Sequence, residues 1–164
     1  MIRRIINVEM KQYLLGTFRF NDRANKMVLA RVRELPDPKE AVKFFSHLAN
    51  SQYKWMARIL RDQKAAEMDW WDPIYPFDEL EKKWDDSLGL WTAYIGNRTE
   101  EQLFEEKRFV GFDGGEWAAP LKDIALQLNY HSIHHRAQIQ TIIRSQGLEP
   151  DFVDYIGTVY RKID

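Results

Sequence analysis

The stretch from Gln127 to Arg144, QLNYHSIHHRAQIQTIIR, constrains this chain most, because it carries three of the four histidines on what reads as one uninterrupted helix. At about 3.6 residues per turn, His131 and His135 stand one turn apart, within about 40° of one meridian. Gln127 and Gln138 fall near that meridian, and Ile124, Leu128, Ile139 and Ile142 border it with apolar surface, so both imidazoles face an interior. His134 points to one flank. Two such imidazoles can grip a divalent ion but cannot complete its site, since a transition metal usually takes three or four protein ligands. The chain has no cysteine and one further histidine, His47, in FFSHLANSQYKWMARIL. There Phe44, Leu48, Ser51, Trp55 and Ile59 keep helical period. The expectation is a three-histidine metal site of His47, His131 and His135, with one or more positions open to water or substrate. The plain alternative is that these histidines are hydrogen-bonded core residues.

A site of this kind needs a core to hold it. The 164 residues suffice for a single domain over 1–164, and 45% hydrophobic with 30% charged residues is the balance of a globular chain. A net charge of -1 offers no field for nucleic acid, so no direct nucleic-acid partner is expected. Without cysteine there are no disulfides, thiolate nucleophiles or sulfur-held metals, and any ion rests on nitrogen and oxygen. No run approaches the roughly 20 apolar residues that span a bilayer. The opening MIRRIINVEMKQYL has neither the apolar run nor the small-residue cleavage site of a secretory signal. A cytoplasmic protein with no membrane partner is expected.

Helical period runs from Asn7 to about Arg33, with Met10, Leu14, Phe18, Met27, Leu29 and Val32 recurring, and stops before Leu35-Pro36-Asp37-Pro38 because proline lacks the donor and the geometry to continue. A second helix follows from about Pro38 to Asp62. Lys64 to Phe77 breaks the pattern with two prolines and gathers Trp70, Trp71, Tyr75 and Phe77, either packing over an open end of the core or roofing a ligand pocket. A third helix spans about Asp78 to Gly96. Thr99 with Gln102 has capping-box spacing for a short restart. Asp113-Gly114-Gly115 between β-prone runs predicts a hairpin within Phe104 to Trp117. Pro120 opens the last helix, and Gly147 caps it. The apolar tail, with Phe152, Tyr155, Ile156 and Tyr160, is expected to pack back on the helices or on a second subunit. The fold class is therefore all-α: a four-helix bundle with long crossover connections and a short β-hairpin before the last helix.

The segments LLGTFRFNDRANKMVLARV, FFSHLANSQYKWMARIL and LNYHSIHHRAQIQTIIRSQG together resemble the DinB or YfiT-like family of metal-binding four-helix bundles, and HxxxHRxQ, His131 to Gln138, is the most specific part. The resemblance covers nearly the whole chain. It implies a homodimer holding a divalent metal ion (zinc, nickel or iron) on His47, His131 and His135. It also implies, from characterised relatives, a small-molecule substrate, with a low-molecular-weight thiol as co-substrate of an S-transferase. Gln127 stands where many relatives carry another histidine, and Ala137 replaces a frequent glycine. Arg136 faces away from the histidine meridian and reads as structural, whereas Gln138 can orient a ligand from behind. A metal-dependent thiol transferase is the favoured expectation. A metal-dependent hydrolase and a non-catalytic metal or small-ligand-binding dimer are the alternatives. Catalytic acids and bases stay unassigned, with Asn50, Tyr53 and Tyr130 candidates only by their closeness in sequence to the ligands.

Overall fold

The computed structural model describes residues 9–163. The helix start expected at Asn7 lies outside them. Regular structure is mostly helical: α1 (Met10–Val32), α2 (Lys39–Ile59), α3 (Leu80–Gly96), a short α4 (Glu100–Phe104) and α5 (Leu121–Ser145), with β1 (Glu106–Val110) and β2 (Glu116–Pro120) between α4 and α5. No described helix is long and apolar enough to cross a membrane.

Each of the helices α1 and α2 packs chiefly against α3 and α5. Along all four the buried side chains fall into the same three layers. One apolar layer joins Val28, Val32, Phe45, Leu48, Leu80, Trp84, Ile139 and Ile143. The other joins Leu14, Phe18, Met56, Ile59, Trp91, Ile95, Leu121 and Leu128. Because numbers rise from the second layer to the first along α1 and α5 but fall along α2 and α3, the two pairs run in opposite directions. Halfway along lies a polar layer, comprising Asn21 and Asn25 of α1, His47, Asn50, Ser51 and Gln52 of α2, Ser87 of α3, and Asn129, Ser132, His135 and Arg136 of α5, all buried. Buried polar groups cost free energy unless hydrogen-bonded. The α1–α5 half of the layer is closed accordingly: Arg136 Nη1 donates to Asn21 Oδ1 (2.8 Å) and Asn25 Oδ1 (2.9 Å), Asn21 Nδ2 to Asn129 Oδ1 (2.7 Å), and Asn25 Nδ2 to Ser132 Oγ (2.8 Å). Arg136 is structural, as its meridian implies.

The ends are set by local chemistry. Both α2 and α5 finish in Schellman motifs, in which the second residue past the cap bonds back to the third-last carbonyl. At α5 this is Leu148 N to Ile143 O (3.2 Å), with Gly147 at φ 85. At α2 it is Asp62 N to Ala57 O (2.9 Å), and the left-handed position is Arg61, at φ 56. The sequence points to a helix reaching Asp62 because no glycine or asparagine marks that cap. An arginine there costs on the order of 1–2 kcal/mol, offset in part by its two-pronged ion pair with Glu116 of β2, at 3.0 Å. The helix therefore ends at Ile59. Pro120 serves as the last residue of β2 and the N-cap of α5 rather than its first turn. A 3-10 turn, Phe77–Glu79, precedes α3, and Thr99 with Gln102 forms the expected capping box. Glu100 adds a long-range cap, accepting the N–H groups of Met10 (2.9 Å) and Lys11 (3.0 Å) at the start of α1.

The hairpin forms as expected, with Phe109 opposite Trp117. Gly111 bonds to Gly115 O across its loop, and a Cβ at Gly111 would lie 2.3 Å from the Trp117 ring. The tail returns to the helices. Tyr155 meets Phe20 edge-on (5.2 Å), and Asp151 pairs with Arg31.

Candidate metal centre

The polar layer brings the three expected histidines together. His47 of α2 faces His131 and His135 of α5, with ring centroids 4.8 and 4.6 Å away, and the two α5 rings are 4.4 Å apart. One nitrogen from each lies within 4.8 Å of the others, so the three side chains could hold a metal ion. His134 is exposed on the flank, its ring 5.0 Å from that of His135.

The hydrogen bonds behind the rings decide which nitrogens are free. His47 Nδ1 lies 2.6 Å from Trp70 O. A carbonyl only accepts, so Nδ1 carries the proton and Nε2 keeps its lone pair. His135 Nδ1 lies 2.5 Å from Gln138 Oε1, which leaves its Nε2 free in the same way. His131 Nε2 sits 2.9 Å from His47 Nε2 and 3.4 Å from Ser51 Oγ. Backing of metal-ligating imidazoles by a carbonyl or amide fixes ring direction and tautomer, and the donor set here fits a divalent ion.

Protonation favours the same role. Burial pushes His131 down to about 4, helped by the neighbouring His135 and His47 rings. Burial likewise pushes His135 down to about 4, and it lowers His47. All three rings are therefore neutral at pH 7. The sequence alone points to metal affinity falling below about pH 6.5, the ordinary histidine value. In the folded chain, protons compete for His131 and His135 only at lower pH.

The sequence leaves two roles open for the aromatic stretch between Lys64 and Phe77, packing on the core or roofing a pocket. The Trp70–Tyr75 segment closes over the rings while packing on α2, so it does both of the jobs open to it. Trp71 stacks on His47 with centroids 3.8 Å apart and 11° between planes. Asp69 Oδ1 accepts the N–H groups of Trp71 (2.6 Å) and Asp72 (3.1 Å), a turn that aims Trp70 O at His47. Those backbone bonds hold the Asp69 carboxyl below its usual range. Further along, Ser46 Oγ accepts Tyr75 N–H (3.0 Å), Asn50 Nδ2 donates to Pro73 O (3.0 Å), and Tyr75 OH donates to Asn50 Oδ1 (2.8 Å). Asn50 is thus an anchor of the roof. Tyr53 donates to Lys83 O of α3 and is pushed up to about 12 by burial, and Tyr130 is exposed. None of the three touches the rings as an acid or base. Beside the cluster, a cavity of about 220 Å³ opens onto His47 and His131, with Ser51, Trp55, Trp70 and Gln127 in its wall.

The DinB family model matches residues 10–163, nearly all of the chain. The chain belongs to the DinB family. Comparisons with curated proteins and with solved structures return no match. For a DinB-family chain the observed cluster is informative on its own terms, because the two α5 histidines and the α2 histidine meet in three dimensions across 84 residues of sequence separation. The Gln127 departure also finds its place, at the cavity wall beside His131 rather than among the three rings.

Proposed function

We propose that this DinB-family chain is a four-helix bundle that works as a homodimer, holds zinc, nickel or iron on His47, His131 and His135, and transfers a low-molecular-weight thiol to a small electrophile. The observation that carries the proposal is the convergence of three neutral, desolvated imidazoles at the edge of a cavity. Imidazole-only sites suit all three metals. The exposed apolar side chains of the tail, Phe152, Ile156, Tyr160 and Ile163, support the dimer.

An ion held there supplies positive charge that lowers the pKa of a nearby thiol or water. The chain's own residues do the rest. Trp70 O and Gln138 hold two rings in the tautomers that present Nε2, and Trp71 shields His47 from water. Trp55, Trp70 and Leu128 give the cavity an apolar wall for a substrate body. Among the described residues no carboxylate joins the three rings. A thiol needs less help, since its free pKa is about 8.5 against about 15.7 for water. That difference favours thiol transfer over hydrolysis. In the transfer the sulfur bonds to the electrophilic carbon, the leaving group departs with its electron pair, and the thiol proton passes to solvent.

The test is a panel of low-molecular-weight thiols with chlorodinitrobenzene, run on metal-loaded and chelator-treated protein. Metal-dependent conjugation above the uncatalysed rate with at least one thiol is expected. Metal retention without conjugation of any thiol would support the non-catalytic binding reading instead.

A further inference from the structure

Beyond the histidines, α2 and the hairpin enclose a larger cleft of about 940 Å³. Its walls are aromatic: Trp55 meets Phe109 edge-on at 5.0 Å and Trp70 at a tilt at 6.3 Å. Its charges are mainly cationic. Arg58 lies over Trp55 (4.7 Å), Phe109 (5.0 Å) and Trp70 (5.5 Å), and Lys54 lies over Trp70 (4.6 Å). Of the three cations lining it, Arg61 is neutralised by Glu116, whereas among the described residues no ion pair engages Lys54 or Arg58. Asp62 also lines the cleft, but its carboxylate accepts the Lys64 N–H.

The structural role of the two free cations is real and incomplete. Arg58 donates Nε and Nη2 to Val110 O, which ties β1 to α2, and Lys54 donates to Met68 O. Arg58 Nη1 and the remaining Lys54 hydrogens have no bond among the described residues. Burial lowers both groups from their ordinary values, with Asp69 acting only through space on Lys54. Two partly desolvated positive charges over aromatic faces make an anion with a flat body the complementary ligand.

We propose that this cleft binds a small organic anion, its carboxylate, sulfonate or phosphate group on Lys54 and Arg58 and its flat apolar body against Trp55, Phe109 and Trp70. Trp55 and Trp70 also line the cavity at His47 and His131, so the ligand's far end reaches the metal centre. That last step rests on the function proposed above; binding in the cleft does not.

The test uses the full chain and two fluorescent dyes, anilinonaphthalene sulfonate and its uncharged parent phenylnaphthylamine. The sulfonate binds the wild type more tightly than the neutral dye. Lys54→Met weakens sulfonate binding about tenfold and Arg58→Met at least as much, the loss expected for one charge-assisted hydrogen bond, while neutral-dye affinity stays within about twofold. Should Arg58→Met lose its helical circular dichroism, Lys54→Met alone decides. Equal affinity for both dyes, or unchanged sulfonate binding in Lys54→Met, overturns the proposal. Wild-type protein that binds the dye in this pattern yet holds no metal supports the cleft and defeats only the metal reading.

Discussion

Replacing His131 with alanine is expected to weaken divalent-ion binding by more than about 100-fold, because altering even the groups behind metal ligands costs 10–100-fold. The effect is read most simply through stability. An ion that binds the folded chain at about 100 times its Kd stabilises it by about 2.7 kcal/mol, a melting-temperature rise of about 5–10 °C for a chain of this size. His131→Ala should show a rise of at most about 1 °C. The wild-type rise should also persist below the ordinary histidine value of about 6.5, since burial has pushed His131 and His135 down to about 4 and lowers His47 as well. Metal-free protein loses stability in acid. As pH falls from about 6.5 toward 4, the unfolded chain takes up protons that the folded rings refuse, so stability falls through that window. An undiminished metal-dependent rise in His131→Ala would show that the ion binds elsewhere.

Trp91→Ala should cost about 3–5 kcal/mol, the range for deleting a fully buried large aromatic side chain. Trp91 is 0% exposed, lies at 6.3 Å and 14° to Phe18, and donates Nε1–H to Gln52 O at 2.9 Å. It fills the apolar layer between α1, α2 and α3. Against a typical total stability of about 5–15 kcal/mol, that loss is large. Urea unfolding should show a lower midpoint with an unchanged slope. Phe112→Ala, at 97% exposure, gives the scale of a neutral change, within about 0.5 kcal/mol. A Trp91→Ala loss below about 1 kcal/mol would mean that the layer collapses around the gap and that its packing is not specific.

The histidine geometry was legible because it depends on two facts a sequence states directly: one helical turn separates His131 from His135, and His47 is the remaining inward-facing imidazole. The same meridian arithmetic put Arg136 on the other side, where it binds Asn21 and Asn25. The roof was legible as an aromatic stretch that packs on the core or covers a pocket, but not in its placement. Trp70 and Trp71 follow no helical or strand period, and what places them is an Asp69 turn and a set of side-chain anchors on Ser46 and Asn50 that leave no pattern in spacing. Lys54 and Arg58 were equally silent. On α2 alone they read as ordinary helix-surface cations, and only the long-range packing of β1 on α2 turns them into a cleft wall. The end of α2 escaped for a smaller reason, an arginine holding a left-handed position that usually falls to glycine.

The most direct measurement is X-ray absorption at the metal edge of untagged protein, with the ion quantified in the same sample. About one divalent ion per chain, its near neighbours imidazole nitrogens that drop by one in His47→Ala, is the expected result. A chain purified without metal that fails to take any up, or an ion surrounded by oxygen alone and indifferent to His47, would contradict the three-histidine centre.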